Sequence, residues 1–275
     1  MKCLIAIGVV AACGASPRDN GTGVDATGSH LDGTGSSGSN TTSYPIYAHS
    51  DKVLYTIDLG TKALVTIGTF MAPSSDVITD LAVAPDGTIY VISETALYTA
   101  SPTDGHVTKL GSLSACGTRG VALTTTANGD LWMGDFNGKL CKIDLSGASP
   151  VVGAPVTMSG GMALAGDFVG IGDGTIFGTA YKLSDSSTQT NNLLVKIDVT
   201  TGAVITIGKS GFPKLFGTSF QNNVVFGFSH DGTGHVVTID RTTGLGTLFA
   251  TFVDPTTNLG ISFAGAGVSS LVVIE

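Results

Sequence analysis

From Tyr44 onward, apolar and polar residues alternate in short runs broken by Gly-containing turns. A period of two marks a strand with one buried face, and a Gly turn between two such runs marks a hairpin. Residues 54–68 (LYTIDLGTKALVTIG) set the pattern, and residues 194–208 (LVKIDVTTGAVITIG) repeat it. Residues 236–244 (VVTIDRTTG) are a third copy and residues 140–145 (LCKIDL) a fourth. Residues 97–100 (LYTA), followed by Asp104 and Gly105, are a degenerate fifth.

A second hairpin precedes most copies. Residues 81–91 (LAVAPDGTIYV) turn at Asp86-Gly87, and the stretch from Val121 to Trp132 turns at Asn128-Gly129. Asp-Gly and Asn-Gly provide the positive φ that a tight hairpin needs. The unit is therefore four strands, with no helical period.

The Ile-Asp position falls at 58, about 100, 144, 198 and 240, at intervals of 42, 44, 54 and 42. The 35 residues after Asp240 and the 14 before Asp58 make one more period, split across the two ends of the repeat region. A four-stranded unit of about 40–45 residues predicts an all-β fold, a β-propeller of antiparallel blades. The spacing predicts five blades, with the last one closed by an inner strand from residues 260–265 and outer strands from the N-terminal hairpin. Residues 45–49 and 270–275 could each serve as a second strand, which leaves six blades open.

The units at residues 129–144 (GDLWMGDFNGKLCKID) and 85–91 (PDGTIYV) resemble the repeat of the NHL, SMP-30-like and virginiamycin-lyase-like propellers. The resemblance spans Tyr44 to Glu275 and implies a fold. It transfers no activity. Neither the acidic metal-binding set of the SMP-30 enzymes nor the His and Glu of the lyases stands in a recognisable position. Those families often have six or seven blades, so five is a departure.

The first 43 residues follow a different pattern. Met1-Lys2 is a short basic start, and residues 3–12 (CLIAIGVVAA) are an apolar run of signal-peptide length. Val10-Ala11-Ala12-Cys13 resembles the bacterial lipobox, which makes residues 1–12 a signal peptide and Cys13 the lipidated first residue of the mature chain. Gly14 in the next position favours the outer membrane or cell surface. Residues 14–43 are Gly, Ser, Thr, Asn and Asp with scarcely an apolar side chain, too little to offset the entropy of ordering. With Cys13 they form a flexible tether, and residues 44–275 form the folded domain.

Composition narrows the function. The 13 basic and 21 acidic residues give a net charge of −8, against nucleic acid as a partner, because phosphate contacts need clustered Lys and Arg. The chain has no P-loop, HExxH, CxxC or GxSxG motif, and no cofactor is expected. Of its four cysteines, Cys116 and Cys141 remain after Cys3 and Cys13, and export would let them pair.

In a propeller, the loops into the inner strands and those joining strands two and three share one face, the usual binding face. The approaches to the inner strands bring Asp80, Arg119, Lys214 and Asn258 there as candidates for a polar ligand. The loops between strands two and three bring Glu94, Asp135, Asn137, Tyr181, His230, Asp231 and His235. His230, Asp231 and His235 could hold a metal, but one loop supplies at most three ligands, and solvated His beside an Asp-Gly turn explains them as well. The 54-residue interval lengthens the loop at residues 181–192, either for recognition or as a tolerated hairpin tip.

A glycosidase would need carboxylates converging on a cleft, for which Asp80, Glu94, Asp135, Asp173 and Asp231 are the candidates. The recurring Asp58, Asp144, Asp198 and Asp240 belong to turn geometry instead. Trp132 is expected to pack within its blade. The reading that follows is a lipid-anchored envelope module that binds a protein or a small polar ligand without chemistry. The alternative is a carbohydrate-active hydrolase or lyase at the channel mouth.

Overall fold

The computed structural model describes residues 44–73, 76–114, 116, 120–185 and 191–272. The signal peptide, the tether, Arg119 and residues 186–190 of the lengthened loop lie outside them. In blade 1, β1 (Ile46–His49), β2 (Val53–Asp58) and β3 (Ala63–Thr69) run outward in sequence order. Blade 2 holds β4 (Ile78–Val83), β5 (Ile89–Ser93), β6 (Ala96–Ala100) and β7 (Val107–Ser112). Blade 3 holds β8 (Ala122–Thr125), β9 (Leu131–Gly134) and β10 (Lys139–Asp144), with an outer edge split into β11 (Val151–Val152) and β12 (Val156–Thr157). Blade 4 holds β13 (Met162–Gly170), β14 (Ile176–Lys182), β15 (Leu193–Ile197) and β16 (Val204–Lys209). Blade 5 holds β17 (Leu215–Gln221), β18 (Val224–Ser229), β19 (His235–Ile239) and β20 (Gly246–Thr251). The last strand, β21 (Gly265–Gly267), returns to blade 1 as its inner strand and pairs antiparallel with β1, His49 opposite Gly265.

The fold is thus a five-bladed propeller closed by joining its two ends. The closing strand lies later than residues 260–265. Residues 254–259 instead form a turn in which Asp254 accepts the Thr256 and Thr257 N–H groups at 2.8 and 2.9 Å, and Gly260 only bridges back to Val253. There is no sixth blade among the described residues. The tail lies against blade 2, where Ser269 bridges Val83 in parallel.

Burial follows position in the ring. All nine residues of the inner strand β13 are buried, because neighbouring blades cover both its faces. The outer strand β3 has no fully buried residue. The Ile-Asp repeat closes the third strands. Its Asp side chains accept N–H groups of the turn that follows, such as Thr61 on Asp58 and Thr242 on Asp240, at 2.9 and 2.8 Å. Cys116 and Cys141 form a disulfide, Cα–Cα 5.8 Å, tying the segment before β8 to β10. Trp132 is buried in its blade. No helix among the described residues is long and apolar enough to cross a membrane.

Candidate functional site

Three inner strands carry a register irregularity near the same end of the channel. The pairing slips between Ile78 and Asp80, between Leu164 and Phe168, and between Leu215 and Gly217. Such bulges re-aim side chains out of the simple alternation. Here they bring Asp80 and Asp167 together at the ring axis and put Phe216 at the channel mouth.

Asp80 and Asp167 are fully buried. Asp80 accepts the N–H groups of Leu81 at 2.8 Å and of Leu123, in the next blade, at 2.7 Å. Asp167 accepts Phe168 N–H at 2.6 Å and, from blade 5, Thr218 N–H at 2.7 Å. Each carboxyl therefore staples its own blade to the following one. Burial, and after it the facing Asp167 carboxyl, push Asp80 well above the ordinary carboxylate range. Burial raises Asp167 too, opposed by the hydrogen bond it accepts from Asp80 and by the N–H groups of Thr218, Phe168 and Ala266. The pair therefore holds a proton that its two carboxyls share.

His49 adjoins this pair. Gly265, opposite it on β21, leaves space that its ring fills. A Cβ built on Gly265 would stand 2.1 Å from Asp80 Oδ1 and 2.6 Å from His49 Nε2. His49 Nδ1 lies 2.7 Å from the Ser50 carbonyl oxygen, which fixes the proton on Nδ1 and leaves Nε2 buried without a hydrogen-bond partner. Burial lowers the His49 pKa to about 4, so the ring is neutral.

Above this layer opens a cavity of about 150 Å³. Its walls are Phe136, Phe216 and His230, and Asp51, Glu94 and Thr79 also line it, with Gly166 and Ala264 beside the buried layer. The His230 ring stacks on Phe216 with centroids 4.6 Å apart and planes 6° apart. His230 Nδ1 lies 3.1 Å from the Phe263 carbonyl oxygen. The Tyr181 hydroxyl donates to the Phe136 carbonyl at 2.6 Å and holds the loop carrying that ring. Thr79 is anchored by its hydroxyl near the carbonyls of Ile92 and Gly120, at 3.1 and 3.2 Å. The cavity therefore gathers loops between strands two and three from four blades with the starts of the inner strands.

Of the residues singled out in the sequence, Glu94 and His230 line this cavity, and Tyr181 supports its wall. Asp80 lies under the cavity, sealed from solvent. Asp135 is buried and caps its turn by accepting Asn137 and Lys139 N–H at 2.9 and 2.7 Å, while Asn137 is exposed at the tip of that turn. Lys214 adopts φ 51° and accepts His230 N–H on its carbonyl at 2.8 Å. Asp231 accepts Thr233 N–H at 3.1 Å, and the His235 N–H donates to Ser229 Oγ at 3.1 Å. Asn258 is exposed in the turn capped by Asp254, and Asp173 caps an exposed turn by accepting Thr175 N–H. No group of three metal-ligating side chains is assembled among the described residues. Asp167, Phe216 and the role of His49 are additions from the structure.

A larger, shallower groove of about 550 Å³ lies between blades 3 and 4, lined by Asp130, Trp132, Lys196 and Asp198. Its carboxylates are already engaged, Asp130 with Lys142 at 2.7 Å and Asp198 with Thr200 N–H at 2.9 Å. The mouth cavity gathers more blades and is the better candidate.

The architecture and the mouth define a class, the β-propellers, with five blades here. No family model matches the sequence, and no curated protein matches it. Among solved structures, the chain is similar to one from a nidogen/laminin complex, with a TM-score of 0.52 and 13% identity over 83% of this chain and 99% of that one. It also matches a Bacteroides caccae protein of unknown function (TM-score 0.49, 10% identity, 82% and 98% covered). A third match is virginiamycin B lyase from Staphylococcus aureus (TM-score 0.43, 16% identity, 80% and 73% covered). At these identities the likeness is one of fold alone.

Proposed function

We propose that the chain is a lipoprotein of the bacterial envelope, anchored through Cys13, whose propeller binds at the channel mouth and does no chemistry. The observation that carries this reading is the fate of the convergent carboxyls. Asp80 and Asp167 are the pair that meets at the axis, and both are sealed from solvent with their oxygens taken up by backbone N–H groups of four strands. A hydrolase needs such groups facing its substrate. Above them, the open surface is small and joins the rings of Phe136, Phe216 and His230 to Asp51 and Glu94. A volume of about 150 Å³ is below the ~300–1,000 Å³ of a drug-sized site, so it suits one anchoring side chain or a single small polar ring. The composition and the Cys13 motif support an exported, tethered module.

A thermal-shift screen of the full chain against envelope sugars, amino acids and peptides tests the reading. A ligand at 100 times its Kd adds about 2.7 kcal/mol of stability. The expected outcome is a shift that Phe216→Ala abolishes, with the ligand recovered unchanged. Turnover of a sugar that Glu94→Gln or Asp51→Asn removes would establish the carbohydrate-active alternative instead. Processing that globomycin does not block would remove the lipid anchor from the account.

A further inference from the structure

We propose that the folded ring binds one proton at its axis, held between the Asp80 and Asp167 carboxyls, so that folding of this propeller is coupled to pH whatever its mouth binds. The geometry carries the proposal. Two fully buried carboxyls lie within hydrogen-bonding reach of each other, and two neighbouring anions sealed from solvent repel. One added proton turns the repulsion into a carboxyl-to-carboxylate hydrogen bond, which is among the stronger kinds. The N–H donors are distributed to match. Asp167 receives those of Phe168 and Thr218, with Ala266 contributing as well, as an anion should. Asp80 receives two.

Among the described residues, the groups facing the pair offer it no cation. From β1 comes His49, neutral and aimed past Gly265. From β8, β17 and β21 come only backbone N–H groups. His230, in the layer above, acts on His49 by repulsion. The proton is drawn from solvent on folding and returned on unfolding.

The two kinds of buried group work against each other in pH. Asp80 holds its proton in the folded state above the ordinary value of 3.8, where the unfolded chain has lost it. Its contribution is fully present below 3.8 and declines as pH rises toward the raised folded value. His49 stays neutral in the folded state down to about 4, whereas the unfolded chain protonates it below 6.5. Its contribution is fully present above 6.5 and declines as pH falls toward 4. Between about 4 and 6.5 the two slopes oppose each other. Above 6.5 the carboxyl pair acts without His49.

Urea unfolding of the full chain from pH 4 to 9 tests this. The expected folding constant falls as pH rises from 3.8 toward the raised folded value of the pair, by up to about tenfold per pH unit for the one proton, with His49 offsetting part of the fall below 6.5. His49→Gln should steepen the fall between about pH 4 and 6.5, and Asp80→Asn should reduce the fall. Infrared spectroscopy of the unsubstituted chain supplies a reading that needs no variant. A carbonyl stretch from an un-ionised carboxylic acid should persist above the pH at which the exposed carboxyls have ionised. A profile that Asp80→Asn leaves unchanged, or no such band once the exposed carboxyls have ionised, would overturn the proposal.

Discussion

Asp80 at the axis and Asp240 on an outer turn both accept two backbone N–H groups, yet their acidities move in opposite directions. Asp240 takes those of Thr242 and Thr243 at 2.8 Å each, adds both hydroxyls, and keeps its contact with water. Those hydrogen bonds hold it down to about 2. Asp80 has no water and faces a second carboxyl, and two N–H groups do not offset that, so it is pushed up. The outer carboxylates tighten hairpins as anions, whereas the inner pair joins blades by sharing a proton. A carboxylate's role in this ring is therefore set by its radial position, although the repeat places Asp at many similar points in sequence.

Substitutions should sharpen that contrast in order of distance from the axis. The largest effect is expected for Gly265→Ala. Its Cβ would overlap Asp80 Oδ1 and crowd His49, both walled in, so the loss in urea unfolding should exceed both the ~1–3 kcal/mol usual for overpacking and the loss from Asp80→Ala. At Gly87, where a Cβ meets open space, alanine should cost only about 1 kcal/mol, arising from its φ of 87°. Asp80→Ala comes next. It strands the Leu81 and Leu123 N–H groups in the interior, at about 1–3 kcal/mol for each buried donor left unmatched. The smallest effect belongs to Asp240→Ala. Its carboxylate is solvent-exposed, so the fall in melting temperature at pH 7 should be small beside that of Asp80→Ala. Its folded pKa lies below the ordinary 3.8, so its contribution is present above 3.8 and is lost as pH falls toward about 2. The variant should therefore lose part of the acid limb of the wild-type stability profile. A large loss at pH 7 from Asp240→Ala, matching that of Asp80→Ala, would erase the distinction between the two positions.

The ring itself is legible in the sequence because each blade repeats the same local chemistry. Ile-Asp closes a third strand, Asp-Gly or Asn-Gly turns a hairpin, and the remainder at the two ends adds up to one blade. The site is less legible for a specific reason. Asp167 sits within residues 162–170 (MALAGDFVG), and a carboxylate inside such an apolar run is a signal in itself. Its partner is not readable, because strict alternation gives no warning of the bulges that turn Asp80 and Asp167 toward each other and Phe216 toward the mouth. The closing strand was displaced for a similar reason. Residues 260–265 contain the right small and apolar types, but the Asp254 turn takes up the slack, and Gly265–Gly267 is the run slim enough to pass Asp80 and Leu81. Loops from four blades also form the mouth, a convergence that spacing along one chain does not encode.

The central claim is that the axial carboxyls are structural and closed to substrate, which leaves the mouth as a binding surface. Carbon-13 NMR of the full chain with labelled aspartate side chains, titrated from pH 2 to 8, tests it residue by residue. The account predicts that Asp198 and Asp240 titrate near 2, while Asp80 titrates well above 3.8. An Asp80 resonance that titrates near 3.8 with the exposed carboxylates would contradict it, because water would then reach the axis and the pair would be open to chemistry.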